Sequence, residues 1–348
     1  MDKITRIGMD TSKTVFQLHG VNQAERPVLI KKLRREPMLA FFASLAPTKI
    51  GIEACGAAHH WARELTKLGH AVVLIAPQHA KRYVKRNKND AADAAALCEA
   101  MSRPDMTFVP VKTAEQQAAL MLAGVRDQLT GRRTQIANSI RGHAAEFGFV
   151  EAKGLDKIER LVERLLADEA VPALARELIA ELAQDFAAVC LRLDKIEARM
   201  MAWHKGDATS RRLAKVPGIG PIGASLMVMK TPVPKQFKSA RHYPAWMGLT
   251  PKDHSTAGKQ RLGGITHAGD EMLRKVLVAG AMSMCKIAKT RPERVSPWLR
   301  ALVARKPLMV AAVALANKNA RIAWKMMVTG EAYDPARSRR VVQAVAAA

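Results

Sequence analysis

The sequence is poor in cysteine, and its four thiols, Cys55, Cys98, Cys190 and Cys285, lie far apart with no CxxC pair or Cys/His cluster. That spacing argues against a structural zinc site and a disulfide framework, and is the usage of a reducing cytosol. Long apolar runs are missing too. "VLVAGAMSMCKIA" (276–288) and "PLMVAAVALAN" (307–317) are too short to cross a bilayer and read as buried helices. No basic segment followed by a long apolar core opens the chain, so no secretory signal is expected. The histidines show no HExxH or similar spacing: His59, His60, His254 and His267 read as surface or capping residues, with His254 kept as a candidate to activate its neighbour. Acid is scarce in the second part of the chain. Residues 201–348 hold 26 Lys+Arg against 7 Asp+Glu, a balance of +19, whereas residues 1–200 hold 30 against 24, a balance of +6.

What is present is a chain of 348 residues, 49% hydrophobic, long enough for two or three domains with real cores. Its net charge of +25 is that of a polyanion-binding surface, and nucleic acid is the first partner to consider. No membrane partner is expected.

The first region reads as α/β. "ITRIGMD", "TVFQLHG" and "RPVLIKKL" are short strand-like runs; "EPMLAFFASLA" is a helix, "KIGIEA" a buried strand, "HHWARELTKLG" a helix and "AVVLIAP" a strand. Three hairpin-like strands followed by alternating helix and strand predict a mixed sheet of the ribonuclease-H-like kind. Residues 113–205 are rich in Ala, Leu, Arg and Glu and nearly free of Gly and Pro except around 148–154 and at Pro172. There Ile179, Leu182, Phe186, Val189, Leu193, Ile196, Met200 and Trp203 recur at alternating spacings of 3 and 4, a heptad seam. This is a coiled coil or a long helical hairpin, with its contact either inside the chain or in a dimer. Beyond it, "VPGIGPIGASLMVM" (216–229) reads as two helices joined by a Gly-rich turn, and 248–270 as a Gly/basic loop region. Two helices follow near 270–288 and 307–328, then a loose tail. The expected domains are 1–112, 113–205 and 206–330, with a tail at 331–348.

Four acids carry the chemical interest. Asp10 ends the first strand in "IGMDTSK", and Glu53 ends an apolar strand in "KIGIEACG", where a carboxylate near a core needs a cation or donors. In "KRNKNDAADAAALCEA", Asp90 and Asp93 stand at i, i+3, on one face of a helix. The bland alternative for that pair is capping of a helix start. Together the four are hard oxygen donors suited to Mg²⁺ or Mn²⁺. Two such ions roughly 4 Å apart clamp a scissile phosphodiester in known enzymes. Lys85, Arg86 and Lys88 precede the pair as a phosphate-facing approach. "VPGIGPIGA", with Gly218 and Gly220, is similar to a helix-hairpin-helix element whose turn amides contact a phosphate. In "HSTAGKQRLGG", Ser255 and Thr256 sit beside Lys259 and Arg261, cations able to bind a phosphate and stabilise charge during attack by a hydroxyl.

Taken in order, "GMDTSK", "IEACG", "KNDAADAAAL", "VPGIGPIGA" and "GLTPKDHSTAGKQRLGGITHAGD" make the chain resemble, from about residue 5 to 330, a transposase of the insertion-sequence one-ten family, the DEDD transposases. The resemblance implies α/β plus all-α architecture: a RuvC-like (ribonuclease-H-like) domain, a helical coiled-coil segment and a helical C-terminal transposase domain. It implies a DNA recombinase that excises and inserts an element, using donor and target DNA and a noncoding bridge RNA as guide. It implies a tetramer with an active site shared between subunits, acting in the bacterial cytoplasm at the nucleoid. Carried over by position, Asp10, Glu53, Asp90 and Asp93 would be metal ligands and Ser255 a nucleophile forming a phosphoserine link to DNA. Two residues depart from the pattern: Cys55, where Thr is frequent, and Ala257, where Gly is frequent. Ser255 is preferred to Thr256 because a β-branched hydroxyl is stiffer at χ1. The rival expectations are a RuvC-like nuclease that cleaves branched DNA without joining, and a non-enzymatic basic nucleic-acid-binding protein.

The charge asymmetry yields a first prediction. Affinity of the chain for duplex DNA, measured by fluorescence anisotropy, falls on the order of 100-fold or more between about 50 and 200 mM salt. A binding constant indifferent to salt would contradict phosphate-dominated binding.

Overall fold

The computed structural model describes residues 3–84, 89–231 and 233–335. The chain divides into two compact units, one ending at Gln117 and one beginning at Ala118. Among the described residues no helix is long and apolar enough to cross a membrane.

The first unit is mixed α/β. Its elements run β1 (Arg6–Thr11), β2 (Val15–Val21), β3 (Pro27–Arg34), α1 (Met38–Ala43), β4 (Lys49–Glu53), α2 (Ala58–Lys67), β5 (Ala71–Ile75), α3 (Pro77–Ala80), α4 (Asp90–Ala100) and β6 (Phe108–Val109). The strand order is β3-β2-β1-β4-β5-β6. β1, β2 and β3 pair antiparallel, β4 lies parallel to β1, β5 parallel to β4, and β6 antiparallel to β5. The β1 to β5 elements fall where the strand-like runs placed them, because alternation of apolar and small or polar residues fixes which face each side chain takes. β6 was not foreseen; two residues carry no periodicity.

That alternation sorts the sheet into two faces. Ile7 and Met9 of β1, Phe16 and Leu18 of β2, and Ile50 and Ile52 of β4 join Met38 and Phe42 of α1 and Trp61 and Leu65 of α2 in one core. Phe16 and Trp61 meet edge to face at 5.2 Å. The intervening residues, Gly8 and Asp10 on β1 and Gly51 and Glu53 on β4, therefore point to the other face. There Leu97, Cys98 and Met101, along and just past α4, pack with Ile75 and Val21. Gly8 and Gly51 are register partners. A Cβ on Gly8 would run into the Ala94 carbonyl oxygen and stand 2.6 Å from the Cys98 amide nitrogen, and one on Gly51 would strike the Met101 side chain. Paired glycines thus let α4 lie directly on the sheet.

The second unit is helical apart from one hairpin. It contains α5 (Ala114–Glu146, which begins in the first unit), α6 (Ile158–Leu166), α7 (Ala173–Gly206), α8 (Ala208–Leu213), α9 (Pro221–Lys230), α10 (His242–Trp246), β7 (Pro251–Asp253), β8 (Leu262–Ile265), α11 (Glu271–Thr290), α12 (Pro297–Arg305) and α13 (Leu308–Thr329). Much of the heptad seam on α7 is buried within the chain. Leu129 of α5 packs with Val189 and Leu193. Further along, Ala137, Ile140 and Ala144 pack with Ile179 and Phe186, and with Leu161 and Leu165 of α6. An Arg126–Glu197 ion pair at 2.6 Å fixes the antiparallel register. Ala123 of α5 and Met200 of α7 extend into the core built by Leu273, Leu277 and Ala281 of α11 and Ala312, Ala316 and Ala320 of α13. The two ends of 113–205 therefore join the core of 206–330, while its middle packs in clusters of its own.

Three local expectations are corrected. Residues 216–229 hold one helix, α9, rather than two: the preceding helix α8 ends at Leu213, and Pro217 and Gly218 stop it from continuing. The region 248–270 is not all loop but carries the β7–β8 hairpin. Helix α12 was unforeseen, although Ser296 caps it through Leu299 N–H at 3.3 Å and Pro297 occupies its first position. Most of the tail expected at 331–348 lies outside the described residues.

The glycine contact gives a prediction. Gly8→Ala destabilises the first unit by at least about 2 kcal/mol in denaturant unfolding, since backbone rather than a flexible side chain must give way. Gly56→Ala, at a position with open space around it, changes stability by only a few tenths of about 1 kcal/mol.

Candidate active site

The first candidate centre lies at the ends of β1 and β4, where α4 begins. The pairing Met9↔Ile52 leaves Asp10 and Glu53 as the next residues on two adjacent parallel strands, both on the α4 face. Asn89, not either aspartate, caps α4: its Oδ1 accepts the Ala92 N–H at 2.8 Å. Asp90 is exposed and Asp93 half-buried in the first turn. The Asp10 carboxyl is pushed up to about 6 by burial and then by the negative charges of Asp93, Asp90 and Glu53. All three other acids thus act on Asp10, which is the interaction a cation would relieve. Among the described residues no three His, Cys, Asp or Glu side chains are drawn together closely enough to hold a metal ion as they stand. The donor set itself, all carboxylate oxygen, fits a hard divalent cation. Cys55 joins the two strand ends, its Sγ 3.4 Å from Thr11 Oγ1. Lys85, Arg86 and Lys88 lie outside the described residues.

The second candidate centre is the β7–β8 hairpin. His254 N–H donates to Arg261 O at 2.9 Å, and Lys259 N–H to Thr256 O at 2.9 Å, closing a two-residue turn at Ala257 and Gly258. Both turn residues have positive φ, 47° and 76°, the requirement of a type I′ turn. Ala257 bears the strain that Gly would avoid. Ser255, Lys259 and Arg261 are all exposed. Ser255 N–H donates to Asp253 Oδ1 at 2.8 Å, and Arg261 N–H donates to Ser255 Oγ at 3.0 Å. The Ser255 hydroxyl also interacts with the Asp253 carboxylate, and these contacts hold Asp253 below the usual carboxylate range. Sequence reasoning passed over Asp253; the available signal was its i, i+2 spacing from Ser255, the mark of an Asx turn. His254, the residue considered for activation, places its ring beside Gly263 on the opposite strand.

Gly218 and Gly220 sit between α8 and α9. Gly218 has φ 88°, and its carbonyl lies so close to Gly280 of α11 that no side chain fits there. Asn319 Nδ2 donates to Pro217 O at 2.9 Å, fixing the turn on α13. Gly220 opens α9 with empty space around it, and exposed Arg211 and Lys215 lie just before the turn. His59, expected at the surface, is half-buried: its Nδ1 accepts the Lys112 N–H at 3.2 Å, and burial with the nearby Lys112 and Arg63 charges pushes it down to about 4.

Two known transposase families match separate stretches of the chain. Residues 7–148 match the DEDD transposase model of the IS110 group, and residues 210–302 match the transposase IS116/IS110/IS902 family. A putative transposase of Sinorhizobium fredii is 58% identical over 97% of this chain and 88% of the relative. A probable family 20 transposase of Pseudomonas aeruginosa is 44% identical over 95% and 99%, and the transposase for insertion sequence element IS1328 of Yersinia enterocolitica 37% identical over 96% and 100%.

The acid cluster carries a pH prediction. A carboxyl raised from 3.8 to about 6 binds protons more readily in the folded state, so its contribution to stability falls as pH rises through that window. In EDTA, Asp10→Asn raises stability at pH 7 by on the order of 1 kcal/mol, allowing for solvent screening, and the gain vanishes near pH 4. Equal melting curves for the two proteins at pH 7 would contradict the cluster's repulsion.

Proposed function

We propose that this chain, which belongs to the IS110 family of transposases and so cuts and rejoins DNA for an insertion sequence, does so with a four-carboxylate centre and a serine nucleophile. The single observation that carries the reading is geometric: Asp10 and Glu53 end adjacent parallel strands on the face where α4, with Asp90 and Asp93 in its first turn, lies against Gly8. Three antiparallel strands followed by two parallel ones, with helices on both faces, support a RuvC-like domain for the N-terminal unit.

In this reading Asp10, Glu53, Asp90 and Asp93 hold Mg²⁺ or Mn²⁺, which when bound supplies Lewis-acid stabilisation of charge on a phosphodiester. The chain's own groups do the rest. Ser255 Oγ attacks the phosphorus, forming a phosphoserine link as the bond to a deoxyribose oxygen breaks. Lys259 and Arg261, on the same hairpin, face the charge that gathers on the non-bridging oxygens. The α8–α9 turn, with Gly218 and Gly220, contacts a backbone phosphate, and Lys85, Arg86 and Lys88, which precede Asp90 and Asp93 in sequence, are assigned to DNA phosphate binding. The excess of cations after residue 200 fits donor and target DNA and a noncoding guide RNA. The resemblance supplies the remaining elements: guidance by that RNA, a tetramer with a site shared between subunits, and action at the nucleoid. A RuvC-like nuclease without joining is the second reading; the exposed Ser255 hydroxyl, on a hairpin that also carries exposed Lys259 and Arg261, disfavours it.

The test uses the chain, the transcript of its element and a labelled duplex spanning the element's end, with Mg²⁺. On a denaturing gel a labelled strand stays attached to the protein, and Ser255→Ala loses it. Cleavage unaffected by that substitution would leave only the nuclease reading. Asp90→Asn and Asp93→Asn each abolish cleavage with circular dichroism unchanged; full activity of either overturns the four-carboxylate centre.

A further inference from the structure

We infer that Asp253 is a catalytic residue of the serine centre, the general base that takes the Ser255 hydroxyl proton as the oxygen attacks a DNA phosphodiester. This rests on the proposed role of Ser255 as nucleophile. A free serine hydroxyl is a weak nucleophile and needs an acceptor within hydrogen-bond reach. The strand β7 ends at Asp253, and the chain turns there so that the Asp253 side chain meets the Ser255 backbone two residues on. Asp253 Oδ1 takes the Ser255 N–H at 2.8 Å, which pins the carboxylate against the serine. The Arg261 N–H, 3.0 Å from Ser255 Oγ, occupies an oxygen lone pair and leaves the hydroxyl proton free to turn toward the carboxylate. His254 is the other ionisable side chain next in sequence, and it is directed across the hairpin to Gly263.

The electrostatics agree with this geometry. Hydrogen bonds from Ser255 keep the Asp253 carboxyl below its ordinary range, so it is ionised and able to accept throughout neutral pH. A weakly basic carboxylate suffices when the attacking oxygen becomes acidic on bonding to phosphorus, as for the aspartate that accepts a substrate hydroxyl proton in protein kinases. The Oγ–P bond forms while the P–O bond to the leaving deoxyribose breaks. The leaving oxygen keeps the electron pair and takes a proton from water, and Asp253 receives the Ser255 proton and releases it to solvent. No oxidation occurs.

An Asx turn alone would also place Asp253 here, and the experiment separates the two roles. Asp253→Asn keeps an Oδ1 to accept the Ser255 N–H but cannot take up a proton. The rate of protein–DNA adduct formation is measured for the full chain with its element's transcript, a labelled end duplex and Mg²⁺, from pH 6 to 9, for Asp253→Asn, Asp253→Ala and Ser255→Ala. Asp253→Asn is expected to lower the rate at pH 7 by about 100-fold or more, with DNA affinity and melting temperature unchanged. Its residual rate climbs with pH as hydroxide replaces the missing base, whereas the unsubstituted chain is flat. Asp253→Asn within about threefold of the unsubstituted chain, with only Asp253→Ala impaired, overturns the proposal and makes Asp253 a turn residue. An adduct persisting in Ser255→Ala instead overturns the serine role itself, and the base role with it.

Discussion

Everything at the carboxylate centre depends on how closely helix α4 approaches the sheet. Gly8 and Gly51 sit side by side on β1 and β4, and each is followed two residues later by an acid, Asp10 and Glu53. Period-two alternation puts glycine and acid on the same face, so the missing side chains that admit α4 also aim the carboxylates at its first turn. Alanines on α4 complete the fit, with Ala94 lying over Gly8. A bulkier residue at any of these contacts would lift Asp90 and Asp93 away from Asp10.

That approach has an electrostatic cost. Burial and the negative charges of Asp93, Asp90 and Glu53 push the Asp10 carboxyl up, so placing it there charged is unfavourable. The arrangement opposes folding slightly, as sites poised for a ligand commonly do. Asn89 supplies the side-chain cap, so it is Asn89 and neither aspartate that meets the Ala92 amide.

The serine hairpin follows a different logic. It is short, exposed and held by backbone hydrogen bonds across a tight turn, so its chemistry lives in local hydrogen bonds rather than in burial. Asp253, Ser255 and Arg261 form a chain of contacts that no core supports. The hairpin is nonetheless anchored at its far end, where Arg274 Nη1 donates to Met247 O at 2.9 Å and to Ala268 O at 2.8 Å, tying both flanks to α11.

The pattern of residues determined a good deal by itself. Strands β1 to β5, helices α1 and α2, the long helical stretch and the four acids were legible, because alternation and helical spacing are local and the acids stand at element ends. It also fixed the basic character of the C-terminal part. Tertiary structure alone decided which partner fills the α7 seam, since heptad positions look the same whether the complement comes from α5 or from a second copy. It decided the capping question at Asp90 and Asp93, because only the placement of Asn89 shows which side chain meets the Ala92 amide. It turned His254 across the hairpin to Gly263, since the direction of a side chain on a hairpin follows from register, whereas the Asp253–Ser255 contact is local and its spacing stood in the sequence.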